Sequence, residues 1–446
     1  MKNLFIETYG CQMNFADSEV LTSILGSNYK AIQDYKQADL ILINTCSIRD
    51  HAEQRVLHRL SEFAAIKKSR PQVRIGIVGC MAERLKEELL NSGLSVDLVA
   101  GPDSYRKLPE LLDLVNCGKE AIDTLLSEEE TYHDILPVRL GNNKVSAFVS
   151  IMRGCQNYCA YCVVPYTRGK ERSRDPESII SEVKDLLEKG YKEVTLLGQN
   201  VNSYKHTDTK SGSVVNFSLL MDKVASINPL LRIRFATSHP KDLSDELLEV
   251  MSKHPNICRA IHLPVQSGSS RMLKEMKRKY DRDWYLNRIT AIRHYLPDCA
   301  ISTDIIAGFC SETEEDHQQT LALMKEVGYE FAFMFKYSER PGTFASKFYK
   351  DDVPEATKLR RLNEIIDLQQ SLSLESNRRD IGHTFEILTE GISKKNQEQY
   401  YGRNSQNKVI VFDKPISGPI SNLHIGTYLS VKVKDCTAAT LIGEIV

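Results

Sequence analysis

The chain has 446 residues, 41% of them apolar and 26% charged, the balance of an ordinary soluble globular protein with room for about three domains. Its formal net charge of -1 excludes a global basic field, so a nucleic-acid partner would have to be held by local patches. No run approaches the roughly eighteen apolar residues of a membrane span, and Glu7 interrupts the first apolar run too early for a signal-peptide core, so a cytoplasmic location without a membrane partner is expected.

Residues 1–126 read as an amino-terminal domain of three similar units, each an apolar run that ends in a cysteine. The runs are Leu4-Phe5-Ile6-Glu7-Thr8-Tyr9-Gly10-Cys11, Leu40-Ile41-Leu42-Ile43-Asn44-Thr45-Cys46 and Val73-Arg74-Ile75-Gly76-Ile77-Val78-Gly79-Cys80. Helical stretches follow them, which predicts a parallel sheet covered on both faces, with the carboxyl ends of its strands opening on one crevice. Cys11, Cys46 and Cys80 would then converge as a three-cysteine cluster site. As three isolated small residues they would be unremarkable, because free cysteine is often buried. Eleven cysteines, an odd number in a long chain, point to metal or redox chemistry rather than a disulfide framework.

Residues 127–144 turn acidic and then irregular, with Glu128-Glu129-Glu130, Pro137 and Gly141-Asn142-Asn143, and read as a linker. The second domain, 145–377, opens on a strand from Val145 to Ile151. Asp175 and Pro176 then start a helix with Ile180, Val183 and Leu187 on one face, closed by Gly190. Further strands are expected at Val194–Gly198, Arg232–Thr237, Ala260–Val265, Ile301–Ala307 and Phe331–Phe335. Ser311-Glu312-Thr313-Glu314 reads as a capping box for a helix that ends at Gly328. Six βα units predict a partial (βα)6 barrel with its chemistry at the carboxyl ends of the strands. Arg271, Lys274 and Arg278 fall on one helical face, first of all a solvated basic side.

Just past the first barrel strand stands Cys155-x3-Cys159-x2-Cys162. Three thiolates this close can hold three irons of a four-iron cluster and leave the fourth iron open. Electron carriers close all four positions, and zinc ribbons bring two separated cysteine pairs, so the triplet favours a cluster that binds something. The plain alternative is three buried or zinc-binding cysteines. Residues 378–446 change to short alternating strands, Thr384–Leu388, Lys408–Phe412 and Tyr428–Val433, a small β-barrel of the kind used for oligonucleotides. Tyr400-Tyr401-Gly402-Arg403-Asn404 is either barrel core and hairpin or a stacking platform for RNA.

With the aromatic Tyr161 before its last cysteine, the triplet resembles the radical S-adenosylmethionine signature. Together with the upstream cysteine domain and the terminal barrel, it makes the chain similar to the radical S-adenosylmethionine methylthiotransferases, whose last domain is a TRAM domain. Gly198-Gln199-Asn200-Val201-Asn202-Ser203-Tyr204 and Arg234-Phe235-Ala236-Thr237-Ser238-His239-Pro240 resemble the branch that modifies isopentenyladenosine in tRNA. They are less like the branches acting on a ribosomal-protein aspartate or on threonylcarbamoyladenosine. His262-Leu263-Pro264-Val265-Gln266-Ser267-Gly268 and Tyr337-Ser338-Glu339-Arg340-Pro341-Gly342-Thr343 fit the family at large. Phe309-Cys310-Ser311-Glu312-Thr313 departs from it, since relatives commonly carry Pro-Gly after the phenylalanine. Cys310, Cys117, Cys258, Cys299 and Cys436 are expected to be inert.

The resemblance implies two 4Fe-4S clusters, one on Cys155, Cys159 and Cys162 and one on Cys11, Cys46 and Cys80, with two S-adenosylmethionine molecules used per turnover. It implies conversion of N6-isopentenyladenosine to its 2-methylthio derivative next to the tRNA anticodon, with a base flipped out of its stack. A low-potential donor such as flavodoxin is implied as a partner, and the sulfur donor is left open. Gln199, Ser238, Gln266 and Asp304, at the ends of successive barrel strands, are expected to hold S-adenosylmethionine, with Tyr161 near its adenine. A plain iron-sulfur electron carrier with an RNA-binding tail is the alternative of another class.

Overall fold

The computed structural model describes the chain except residues 47–49, 92, 142–143 and 416–422, and describes residues 50–54 by their backbone alone. Six parallel strands form the first sheet, in the order Tyr29–Ala31, Lys2–Thr8, Leu40–Thr45, Arg74–Gly79, Leu98–Ala100, Ala121–Asp123. The middle strand shows why its run is apolar throughout. Leu40 and Leu42 pack into one core with Leu4, Leu21 and Leu112, while Ile41 and Ile43 pack into another with Phe63, Ile75 and Ile77. The three outer strands are only three residues long, too short for periodicity to reveal.

The segment expected as a linker is tied down on both sides. Tyr132 is buried and stacks on Tyr105 at 5.6 Å between ring centroids, and Arg139 pairs with both Glu19 of the first unit and Glu182 of the second. Asn142 and Asn143 of that expected linker lie outside the described residues.

The second unit is an open arc of six parallel strands. Ser146–Ser150, Glu193–Leu197 and Arg232–Phe235 form one half, and Ala260–His262, Ala300–Ala307 and Phe331–Lys336 the other. A bridge between Ile233 and Ile257 joins the halves. Asp175 caps the Pro176–Glu188 helix as expected, yet the buried stripe is Ile179, Val183 and Leu186, one residue back from the expected face. Glu182 accounts for the rotation: it is buried because Arg139 and Arg174 both pair with it. The capping box also moves, to Thr313 and Asp316, because Ser311 holds a left-handed backbone (φ 63°) that an N-cap does not use. Gly328 ends that helix in the left-handed conformation.

After the long Glu355–Arg379 helix, five strands close a small barrel in the order Thr384–Ile392, Gln399–Arg403, Val409–Asp413, Leu441–Ile445, Tyr428–Cys436. This barrel docks under the amino ends of the arc strands. Arg403 donates to buried Glu193 at 2.8 Å, Arg234 donates to the same carboxylate at 2.8 Å, and Arg234 also reaches the Asn404 carbonyl at 2.8 Å. Arg403 and Asn404 are therefore joint residues, and half-buried Tyr400 packs toward Phe412 of the barrel. Burial alone would push the Glu193 carboxyl up, but Arg234 and Arg403 hold it below the ordinary value. Glu193→Gln is expected to cost about 3 kcal/mol, the low end for a buried pair. In the native protein that contribution is present above the usual glutamate range and is lost as pH falls through the depressed value, which denaturant midpoints against pH would show. No helix among the described residues is long and apolar enough to cross a membrane.

Candidate metal centres and the cleft between them

The Cys155–Cys162 loop leaves the arc through a tight reversal. Gly154 has φ +79°, and a Cβ there would lie 1.9 Å from the Lys170 carbonyl oxygen. Backbone bonds pin the loop: Cys155 N to Gly169 O at 3.1 Å, Ala160 N to Met276 O at 3.0 Å, and Ala345 N to Ala160 O at 2.7 Å. Asn157 Nδ2 lies 3.5 Å from Cys155 Sγ, and Arg278 Nη1 lies 3.2 Å from Cys159 Sγ. Burial pushes the Cys155 thiol up to about 11 and the Cys162 thiol higher still, with the neighbouring cysteines adding to both. Two thiols that resist ionisation, with Cys159 between them in the same loop, suit a site completed by a polycation. Gly154→Ala is expected to strain the loop by about 1–3 kcal/mol from its dihedral alone. A lower iron content in the purified, reconstituted variant would check it.

Cys11, Cys46 and Cys80 come together as the strand ends required. Cys11 follows the Lys2–Thr8 strand, Cys46 follows Leu40–Thr45, Cys80 follows Arg74–Gly79, and these three strands are neighbours in register. A Cβ on Gly10, at φ +115°, would lie 2.3 Å from Cys46 Cβ, so only glycine lets the first loop pass the second. A hydrogen bond from Cys46 is the main influence that draws the Cys11 thiol down to about 6, and Arg168 adds to it against the opposing effect of burial. Arg340, in the motif 337–343, lies beside Cys46. A single zinc with 2.3 Å bonds brings its sulfurs within about 4 Å of one another. Among the described residues the group of three donors held within 4.8 Å is Glu314, His317 and Glu364, not either cysteine triad. Glu314 and Glu364 of that group are already paired with Arg360.

Just past the carboxyl ends of the arc strands, buried polar atoms have no protein partner: Gln199 Oε1, Asn200 Oδ1, both amide atoms of Asn202, and Ser238 Oγ. Such groups are costly unless a ligand meets them, and they fit the amino, carboxylate and ribose groups of S-adenosylmethionine. Gln266 is buried past the Ala260–His262 strand with φ +74°, bonded through its backbone to Asp304 O and Ile306 N. Asp304 departs from expectation. It lies within the Ala300–Ala307 strand rather than at its end, and His262 Nε2 sits 3.4 Å from its carboxylate. Tyr161 stands edge-on to Phe309 and receives a 3.4 Å contact from Arg278. Cys310 is buried in the apolar cluster with Phe309 and Tyr337, where burial raises its thiol.

The basic face expected at Arg271, Lys274 and Arg278 is broken. The helix stops at Glu275, Lys277 turns with φ +55°, and Arg278 goes inside to Cys159, Tyr280 and the Pro264 carbonyl. Phe331, Phe333 and Phe335 are exposed on one face of the last arc strand while Ala332 is buried on the other, and His262 meets Phe333 edge-on at 5.7 Å. The sequence marks the segment as a strand, and its alternation of phenylalanine with smaller residues is the signal that its two faces differ.

Three family profiles match the chain: the uncharacterised family UPF0004 over residues 3–101, the radical SAM superfamily over 149–324, and the TRAM domain over 378–446. Over 445 residues the chain is 57% identical to the tRNA-2-methylthio-N(6)-dimethylallyladenosine synthase of Phocaeicola vulgatus, covering 99% of this chain and 96% of that one. The synthase of the same name from Porphyromonas gingivalis is 54% identical over 449 residues, covering 100% and 95%. The chain belongs to this synthase family. Radical SAM membership brings with it a four-iron cluster and S-adenosylmethionine. Among solved structures, the synthase-family chain is similar in fold to the radical S-adenosylmethionine methyltransferase TsrM of Kitasatospora setae, with a TM-score of 0.58 at 12% identity over 77% of each chain. The cobalamin-dependent enzyme OxsB gives 0.51 at 11% identity, covering 83% of this chain and 56% of that one.

Proposed function

We propose that the protein methylthiolates C2 of N6-isopentenyladenosine in tRNA, using one 4Fe-4S cluster on Cys155, Cys159 and Cys162 and a second on Cys11, Cys46 and Cys80. What carries this reading is a convergent amino-terminal cysteine triad against which Arg168, six positions past the second triad, lies 3.2 Å from Cys80 Sγ, in a chain that matches synthases of that name over 99% of its length. When bound, the first cluster and S-adenosylmethionine supply one-electron chemistry able to take a hydrogen from an unactivated adenine carbon, which acid-base catalysis cannot.

The chain's own residues do the rest. Gln199, Asn200 and Ser238 hold the polar groups of S-adenosylmethionine with their unpartnered atoms, and Gln266 and Tyr161 border the same cleft. Asp304, fixed by His262, is a wall of the cleft rather than a strand-end ligand. The exposed Phe331, Phe333 and Phe335 face offers apolar area to a flipped base and its prenyl group, where stacking is worth about 1–3 kcal/mol. The terminal barrel positions tRNA, and a low-potential flavodoxin-type donor supplies electrons. A reconstituted enzyme given S-adenosylmethionine, reductant and either an isopentenyladenosine stem-loop or a ribosomal-protein peptide tests the reading. Methylthiolation of the RNA alone is expected, and modification of the peptide alone would overturn it.

A further inference from the structure

Arg168 lies six positions past Cys162, in the short helix Val164–Arg168, yet its side chain belongs to the other triad. It is 3% exposed. Its Nε lies 3.2 Å from Cys80 Sγ, and its Nη2 donates to Asn14 Oδ1 at 2.9 Å and to Asp17 Oδ2 at 2.8 Å. Its Nη1 is buried without a protein partner.

The charges around it do not cancel. Asp17 also accepts from Arg153 at 2.8 Å, and Asp103 is shared between Arg153 and Arg172. With the cysteines set aside, three buried guanidiniums therefore face two buried carboxylates, which leaves one positive charge for the Cys80 and Cys11 sulfurs to balance. An uncompensated buried cation is costly, and three thiolates around an iron cluster carry the negative charge that would balance it.

We infer that Arg168 is a positioning residue of the amino-terminal cluster: it fixes the Cys80 thiolate by an N–H···S bond and, with its charge, raises that cluster's reduction potential. This rests on the two-cluster reading above. The residue comes from the radical domain, so the amino-terminal site is complete only when the two domains are docked. Any anionic sulfur borne by that cluster would be stabilised by the same cation. Hydrogen bonds to cluster sulfurs and local charge are established determinants of iron-sulfur potentials.

The test uses the full-length chain with Cys155, Cys159 and Cys162 replaced by alanine, so that the amino-terminal triad is its sole cluster site. Iron content and a redox titration followed by electron paramagnetic resonance are read on this parent and on its R168Q and R168K forms. R168Q is expected to retain iron but to bind the added electron at least tenfold more weakly, about 59 mV for one electron. R168K, which keeps the charge but not the planar fork, is expected to shift in the same direction by less. Iron retained with an unmoved potential in R168Q overturns the inference. If R168Q does not fold, R168K decides alone, and an unmoved potential there overturns it equally. A parent that holds no iron while Arg168 is intact overturns the two-cluster reading instead.

Discussion

A Cys46→Ala protein is expected to cleave S-adenosylmethionine and release deoxyadenosine, yet to transfer no methylthio group to tRNA. Cys46 lies against Cys11, whose thiol its hydrogen bond acidifies, on the amino-terminal side of the boundary, with Arg340 of the second domain beside it. The loop holding Cys155, Cys159 and Cys162 makes its own contacts to Met276, Gly169, Ala345 and Arg278 and does not rest on Cys46. Removing one of three ligands should therefore empty one centre and spare the other, lowering total iron by about half on the four-iron arithmetic. Thiolation falls below detection because the second centre is lost, not because binding weakens. Full iron occupancy with normal thiolation would exclude Cys46 as a ligand.

Replacing Asp17 by alanine is expected to be the most destabilising change at the domain boundary, by about 3–5 kcal/mol. The carboxylate is 1% exposed, accepts from Arg153 and Arg168 at 2.8 Å each, and receives the Tyr105 hydroxyl at 3.4 Å. Its loss leaves two buried guanidiniums facing each other, whereas Asp17→Asn keeps one acceptor and should cost less. Burial opposes ionisation of Asp17, but Arg153 and Arg168 outweigh it and hold the carboxyl below its ordinary value. The boundary is thus stabilised above the usual aspartate range, and that contribution disappears as pH falls through the depressed value. Urea midpoints of the wild type and both variants at neutral and acidic pH would show the variants' deficit shrinking as the wild type loses its own pair.

How far the sequence revealed this follows from the range of each interaction. Leu40–Thr45 and Arg74–Gly79 were legible because a doubly covered parallel strand must be apolar on both faces, and the cysteine at each end marked the crevice. Asp175 with Pro176, and Gly328, were legible because caps are local chemistry. Arg278 was not, because spacing on one helix face predicts solvent, and only a turn at Lys277 and a thiol 119 positions away bring it inside. Asp17 and Arg153 are 136 positions apart, with no local pattern to link them. Asp304 was misplaced although the expected strand ended at Ala307 as found: a residue three short of that end was grouped with the strand-end polar residues. The exposure of the Phe331, Phe333 and Phe335 face was not legible, because periodicity marks a strand with two unlike faces but not which of them is left uncovered.

The most direct test of the central claim is the modified-nucleoside profile of tRNA from cells that lack this protein and from the same cells carrying it back. Loss of 2-methylthio-N6-isopentenyladenosine with accumulation of N6-isopentenyladenosine, reversed by the wild type and not by Cys159→Ala, is the predicted result. An unchanged isopentenyladenosine profile, with a methylthio group lost instead from a ribosomal protein or from threonylcarbamoyladenosine, would contradict it.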